Sequence, residues 1–354
     1  MSIPLTRPHT KWGVAIALGL LGSLVVGLVV LAFLWPAKTS TPQNLPVGIT
    51  GPAATVSALQ EAVTSASPDA FDFTEATDRA DAVAQIENRQ TYGAIVLGAP
   101  GTAPEVLTAP AASAAATQIL TGVATQLQAQ LVHQVSAAGG DPSSVAVEVT
   151  PVVPLSAEDP AGTGLAAASF PLTLGGMLGG ILISFLVVGP IRRLVALAGF
   201  GVGVGVILAL ILQTWFGFLQ GDFWLNVTGM GLSIVATSAF IVGCTSLLGS
   251  RGIAVGAILT LFVGNPLASA AAPWQFLPTP WGAIGQFLVP GASNWLLRAL
   301  SYFPNADLSQ QWWTLIAWVT LGAVLIVAGH FRSRAAARVP ANTLESEPHT
   351  VASV

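Results

Sequence analysis

Charge is what this sequence has least of. Only 8% of its 354 residues are Asp, Glu, Lys or Arg, against about 25% in a typical soluble domain. A water-soluble chain of this length would form roughly two domains and would need far more charge to cover them, so an ordinary soluble protein is excluded. The single cysteine, Cys244, excludes a disulfide framework and a cysteine zinc centre. The four histidines, His9, His133, His330 and His349, are too scattered to read as a ligand cluster, so no metal or other cofactor is expected. Neither lysine, Lys11 or Lys38, follows a glycine. The chain therefore lacks the G-x-x-x-x-G-K-[ST] loop that cradles nucleotide phosphates. No nucleic-acid partner is expected either.

What is present is apolar. Hydrophobic residues make up 53% of the chain and the mean hydropathy is +0.72. A membrane-crossing helix needs about 20 predominantly apolar residues, because the hydrocarbon offers backbone groups no water. Six segments meet that length, at 12–35, 167–189, 194–216, 226–248, 252–270 and 312–330. The first exceeds the 7 to 15 apolar residues of a signal-peptide core and leads into Pro36 without a small-x-small cleavage site, so it reads as an uncleaved signal anchor. The predicted fold class is a membrane helical bundle of one plus five spans with an α/β domain inserted at 36–166. Residues 1–11 and 332–354 form the two ends, and the span region 167–331 includes a Pro/Trp-rich loop at 271–311.

Basic residues near helix ends are retained in the cytoplasm. With the N-terminus inside, six crossings put Arg7, Lys11, Arg192, Arg193, Arg251, Arg332, Arg334 and Arg338 on one side of a cell membrane. Both termini are then cytoplasmic and residues 36–166 extracytoplasmic. That segment holds Lys38, Arg79 and Arg89 against twelve acids, so it carries −9 while the whole chain carries −4. An acidic exterior suits a cationic or amphipathic ligand, and it also suits a plain solvated surface.

The exterior segment alternates strands and helices. Strands are predicted at 45–50 (LPVGIT), 70–74, 92–97 (YGAIVL) and 145–153, with helices at 55–65, 75–89 and 111–135. Phe71 and Phe73 share a face by the period of two. In the helix at 75–89 the apolar side is supplied by Ala76, Ala80, Val83, Ala84 and Ile86. The order of LPVGIT, an acidic helix running into ENRQTYGAIVLGAP at 87–100, one preceding span and five following ones resembles the permease superfamily of type-2 ABC exporters, within it the phage-infection-protein-like bacterial membrane proteins. The segment GNPLASAAAPWQFLPTPWGAIGQFLVPGASNWLLRALSYF at 264–303 is similar to the loop before the last helix in actinobacterial members. The resemblance implies a dimeric or paired permease working with a separate ATPase. It also implies an outer gate of re-entrant helices, whose candidate residues are Asn265, Pro266, Pro278, Pro280, Trp281, Gln286, Pro290 and Gly291.

No predicted span carries a charged residue in its middle, and His330 falls at a span end. Ionisable groups at mid-membrane cost about 2.5–3.5 kcal/mol and persist where ions or protons pass, so a proton- or sodium-coupled carrier is disfavoured. The run Gly199, Gly201, Gly203 and Gly205 lies inside an apolar span with no preceding strand and is no dinucleotide fingerprint. With Gly175, Gly176, Gly179 and Gly180 it forms small-xxx-small pairs that predict close packing of the second and third spans. From Gly264 to Gln311 prolines prevent a continuous helix, yet the stretch stays apolar and is expected to dip into the membrane or lie at headgroup level. Trp295, Ala299 and Phe303 with Leu296 and Leu300 form a face opposite Arg298 and Ser301, as in an interfacial helix. Trp35, Trp215, Trp224, Trp274, Trp281, Trp295, Trp312 and Trp313 fall on the outer side, where indoles form a belt.

Two functions follow as expectations. One is the permease of an ABC-type exporter for an amphipathic or lipid-like substrate. The other is a non-transporting envelope surface protein, a scaffold or a docking site such as phage use. The first departs from the resembled pattern in its short cytoplasmic segments, at most 11 residues before the first span and little more than Gly189 to Arg193 after the second. An enzyme is not expected: Asp78 and Asp81 share a helix face with Glu75 and Arg79 nearby, as on a solvated surface, and no nucleophile accompanies them.

Overall fold

The computed structural model describes residues 10–98 and 103–336. The ends of the predicted cytoplasmic segments, with Arg7 and Arg338, lie outside the described residues. Among the described residues five helices are long and apolar enough to cross a membrane: α1 (Trp12–Thr39), α5 (Gly164–Leu186), α6 (Pro190–Ala209, continued to Trp215 by a π-helical turn), α7 (Phe223–Leu248) and α11 (Ser309–Ala336). Between α1 and α5 lies a small α/β unit with β1 (Leu45–Thr50), α2 (Ala53–Ala66), β2 (Phe71–Glu75), α3 (Arg79–Glu87), β3 (Gly93–Val96), β4 (Glu105–Thr108), α4 (Ala114–Ala137) and β5 (Glu148–Pro151).

The sixth predicted span, 252–270, is corrected. Helix α8 runs from Arg251 to Ala257 and widens into π-helix from Ile258 to Gly264. At 1.5 Å per residue it reaches only about 21 Å, short of the roughly 30 Å hydrocarbon core. Pro266, which has no N–H to continue the ladder, opens a single 3₁₀ turn to Ala268, and Ser269 then turns the chain at φ 49°. The segment next enters α9 (Trp281–Gln286) and α10 (Val289–Tyr302).

The strand order is β2-β1-β3-β4-β5, parallel except for the antiparallel β3–β4 pair. In β1 the register sets Gly48 against Ala94, where a Cβ would stand 2.9 Å from that of Ala94. Leu45, Val47, Ile49, Ile95 and Leu107 are fully enclosed, with Ile86 of α3 and Leu120 of α4 closing over them. Phe71 and Phe73 stack at 5.7 Å as the strand period requires. Helix α3 starts at Arg79, later than predicted, because the Asp78 carboxylate caps it by accepting from Asp81 N at 2.8 Å. Its inward side is Ala82, Gln85 and Ile86, while Ala80 faces out.

Helix α7 is the hub of the helical part, packed by α5, α6, α8, α10 and α11. The glycine prediction is corrected here. Gly176 and Gly180 face Thr237, Ser238 and Ile241 of α7, and Gly201 and Gly205 face Val235, Val227 and Gly231 of the same helix. Gly175 has only Ile234 at 3.8 Å, Gly199 and Gly203 have nothing within 4 Å, and Gly179, against Phe200, is the one of the eight that brings α5 to α6. Both helices pack mainly on a third, α7, and touch each other where Gly179 meets Phe200 and Ile183 joins Leu197. A buried Ser238 hydroxyl donates to the Gly176 carbonyl at 2.7 Å, which the close approach makes possible.

The turn between α5 and α6 needs Gly189 at φ 99°, with Pro190 opening the next helix. There Arg193 donates to the carbonyls of Val187 (2.9 Å) and Ser184 (3.1 Å) and to the Ser246 hydroxyl (2.6 Å). It thus closes the negative end of α5 and ties it to α7.

Candidate functional site

Helices α9 and α10 form a short hairpin that descends among the long helices from the side of the sheet. At its tip the Phe287 carbonyl accepts from the Trp318 indole N–H at 2.9 Å, nine positions into α11. Val289 and Ala292 pack against Ala236 in the middle of α7. The hairpin is tight because Gly285 and Gly291 carry no side chain: a Cβ on Gly291 would meet the Gly285 carbonyl oxygen, and one on Gly285 that of Leu267. An apolar, proline-broken segment at this depth is tolerated where protein surrounds it.

The gate-region residues divide over this hairpin and its approach. Asn265 donates from Nδ2 to Thr173 Oγ1 of α5 at 3.2 Å. Pro266 begins the turn after α8, and Pro290, buried, packs on Gly264. Gln286 is buried at the hairpin tip and Gly291 lies beside it. Pro278 and Pro280 lie in the approach to α9, Pro280 exposed, and Trp281, 46% exposed, meets Trp35 of α1 edge to face at 6.5 Å. The last three therefore sit on the hairpin's outer side, away from Asn265, Gln286, Pro290 and Gly291.

Above the hairpin is a cavity of about 110 Å³ between the sheet unit, the start of α5 and the segment 268–298. Arg89 and Tyr92 reach it from the sheet unit, Ser113 from the start of α4, Thr163 from the start of α5, and Gln286, Asn294 and Arg298 from the hairpin. Asn294 also borders a separate pocket of about 10 Å³ below, where Ser169, Thr173, Ser233, Thr237 and Ser293 lie among Leu172, Ile234, Val289 and Pro290.

Arg89 follows α3 in a left-handed conformation at φ 59°. Its N–H donates to the Ile86 carbonyl and that of Gln90 to the Gln85 carbonyl, each at 2.9 Å, the Schellman closure in which glycine is the usual residue. Placing an arginine there costs of order 1–2 kcal/mol. The side chain then lies over the Trp295 ring at 3.9 Å from its centroid, with Phe303 at 5.3 Å, and donates to the Trp295 carbonyl at 2.7 Å. Its Nε is buried without a hydrogen-bond partner. Burial pushes this guanidinium down to about 9, and the Arg298 cation adds to the fall; it remains charged at neutral pH. Burial likewise raises Tyr92, whose hydroxyl lies 3.4 Å from Gln275 Oε1.

Arg298 makes the reciprocal contact, donating from α10 to the Ala111 carbonyl of the sheet unit at 3.1 Å. Each arginine thus crosses the junction to the other's side. Among the described residues the one ion pair is Arg79–Glu105, elsewhere on the sheet unit, so neither cavity arginine is neutralised by a carboxylate. The acid that acts on Arg298 is Asp159, and both its oxygens are taken by backbone N–H groups at the start of α5, Thr163 at 3.0 Å and Gly164 at 2.8 Å.

Several of these residues escaped the sequence reading. Arg298 was expected on the solvent side of an interfacial helix. Helix α10 is instead enclosed on most sides, with Ala292, Leu296, Leu297, Ala299 and Ser301 all buried, because the sheet unit covers the face that water would otherwise meet. Trp295 likewise leaves the indole belt to lie under Arg89, whereas Trp215, Trp224 and Trp313 remain exposed. The signal that could have located the pair is positional: Arg89 stands where a helix end calls for glycine, and Arg298 is the one charged residue between Arg251 and Asp307.

No protein-family model, curated protein or solved structure matches this chain.

Proposed function

We propose that the chain is the membrane permease subunit of an ABC-type exporter, dimeric or paired, that handles an amphipathic or lipid-like substrate and draws energy from a separate ATPase. The observation that carries this reading is the hairpin α9–α10 lowered into the helices beneath a polar cavity, with the sheet unit as its roof. A cavity lined by arginine, tyrosine and amide side chains and set beside apolar helices suits a substrate with a polar head and an apolar body. The resemblance to type-2 exporter permeases supports the same reading. In it, the sheet unit is the extracytoplasmic domain, the ends carrying Lys11, Arg192, Arg193, Arg251 and Arg332 face the cytoplasm of a cell membrane, and the incomplete α8 with the segment after it takes the place of the sixth span. Affinity capture of the full chain from native membranes should recover a nucleotide-binding subunit. Capture without such a subunit, together with unchanged efflux of lipid-like compounds after deletion, would overturn it.

A second reading, a non-transporting envelope surface protein, is favoured by the shortness of the turns at the basic ends, Val187 to Gly189 and Gly249 to Ser250. These offer an ATPase little to hold. That reading expects surface partners or phage to bind intact cells through the sheet unit, and unaltered binding to deletion cells would rule it out.

A further inference from the structure

We propose that the cavity at the junction of the sheet unit and the hairpin is a binding site for a phosphate-type oxyanion, held by Arg89 and Arg298 with Asn294 as a neutral donor. The two guanidinium groups are the charged side chains among the described residues that line the cavity. Buried cations are ordinarily paired, since an unpaired one is costly to desolvate. Here the protein partners are backbone carbonyls, of Trp295 for Arg89 and of Ala111 and Ala270 for Arg298, which accept hydrogen bonds but bring no charge.

Two donors on residues that line the cavity are left without a partner. Arg89 Nε and Asn294 Nδ2 are both buried and have no partner, and both residues line the cavity. A fully enclosed donor is seldom left unmade, and an oxyanion supplies several acceptors at once. Arginine is the residue suited to that geometry, through its planar fork. The strained backbone at Arg89, φ 59° at a glycine-type position, points the same way: strain of this kind is retained where a function needs the side chain. Ser113, at the start of α4, brings a positive helix end to the same space. Asp159 is the opposing charge, and its oxygens are committed to Thr163 and Gly164, leaving the site net positive.

The bland alternative is that the arginines only clasp the two halves together. It leaves Arg89 Nε and Asn294 Nδ2 unexplained, because neither takes part in the clasp. The site stands whether or not the chain transports anything, so capture of an ATPase and binding of an anion fail separately.

The test uses the full chain in uncharged maltoside micelles, following its thermal midpoint in sodium phosphate and in sodium chloride at equal ionic strength. Dodecyl phosphate and dodecanol, added to the micelles, form a second pair. Saturable stabilisation by inorganic phosphate would identify a soluble anion, and stabilisation by dodecyl phosphate alone a lipid headgroup; either supports the site. Arg298→Gln and Asn294→Asp should each weaken the apparent affinity by about tenfold or more, the loss expected for one charge-assisted hydrogen bond. Asn294→Asp keeps size and clasp while setting a carboxylate against the anion, so it decides the matter if Arg298→Gln does not fold. Two results would overturn the proposal: equal midpoints within both pairs in the wild type, or phosphate stabilisation that Asn294→Asp leaves unchanged.

Discussion

The contact of α6 with α7 can be tested by two substitutions that differ only in which side of one helix they occupy. A Cβ on Gly205 would stand 2.6 Å from the Val227 carbonyl oxygen and 3.2 Å from the Gly231 Cα, whereas one on Gly203 meets nothing within 4 Å. Replacing either by alanine gains the same helix propensity, about 1 kcal/mol, so that gain cancels in the comparison. What remains is overpacking. An ordinary carbon–oxygen contact is roughly 3.3–3.6 Å, so Gly205→Ala must drive α6 and α7 apart by more than half an ångström at their closest point. Forcing one extra carbon into a packed interface costs about 1–3 kcal/mol, a five- to hundredfold change in the folded fraction. Gly203→Ala should be neutral or stabilising and Gly205→Ala destabilising by that margin. Unfolding titrations in mixed micelles, run side by side, measure the difference directly. If the two variants unfold together, α7 is not the surface on which α6 is seated and the reading of the glycines is wrong.

The remaining predictions concern other links of the structure. Phe303 is fully buried where α10 joins the core of the sheet unit; Phe303→Ala should cost about 3–5 kcal/mol and open the junction, seen as earlier proteolysis between 98 and 166 than in the helices. Arg193→Met keeps much of the stem but removes the donors to Val187, Ser184 and Ser246, and should lower the thermal midpoint, while Arg192→Met, whose residue is exposed, should not. Glu105 is held below its usual carboxylate range by hydrogen bonds from Arg79 at 2.7 Å, and Thr150 also donates to it. Its folded-state value is depressed, so its stabilisation is complete above the ordinary glutamate range and is lost as pH falls through the folded value. Glu105→Gln should therefore flatten the acid side of the stability profile and leave the slope near neutrality unchanged. Asp78→Ala removes the cap of α3 and should cost about 1 kcal/mol; a loss indistinguishable from zero would mean that the sheet unit alone fixes that helix end.

How much of this was legible in the sequence depended on whether a residue's surroundings were local. LPVGIT and YGAIVL could be read as strands because a strand enclosed on both faces is apolar almost without interruption, and both became central β1 and β3. Strand β4 was missed: Glu105–Thr108 is four residues long, too short for a period to register, and it is fixed by antiparallel pairing with β3. Long apolar helices declare themselves by length, so five were found, and α8 was overestimated because composition shows neither the π-helical widening from Ile258 nor the stop at Pro266. The glycines announced close packing but not the partner, since a small-xxx-small pair specifies proximity and leaves direction to the tertiary fold.

The candidate site was hidden for a related reason. Counting charge by segment gave an acidic stretch at 36–166, and by number that is right, but electrostatics at a buried point is set by what lies within a few ångströms. The acids of the sheet unit include Glu105, engaged with Arg79, and Asp78, a helix cap, while Arg89 and Arg298 meet partners 206 and 187 residues away in the sequence, across the junction. A net charge of one sign thus encloses a pocket of the other. In a chain this poor in charge, a cation placed out of water is an unusual expense, and two of them facing one cavity from opposite sides of an interface tie any anion bound there to the closeness of that interface. An anion that entered would hold the sheet unit and the hairpin together, and its departure would leave two like charges to separate them. Occupancy and junction stability are therefore coupled in sign by the geometry alone, whichever of the two proposed functions the chain performs.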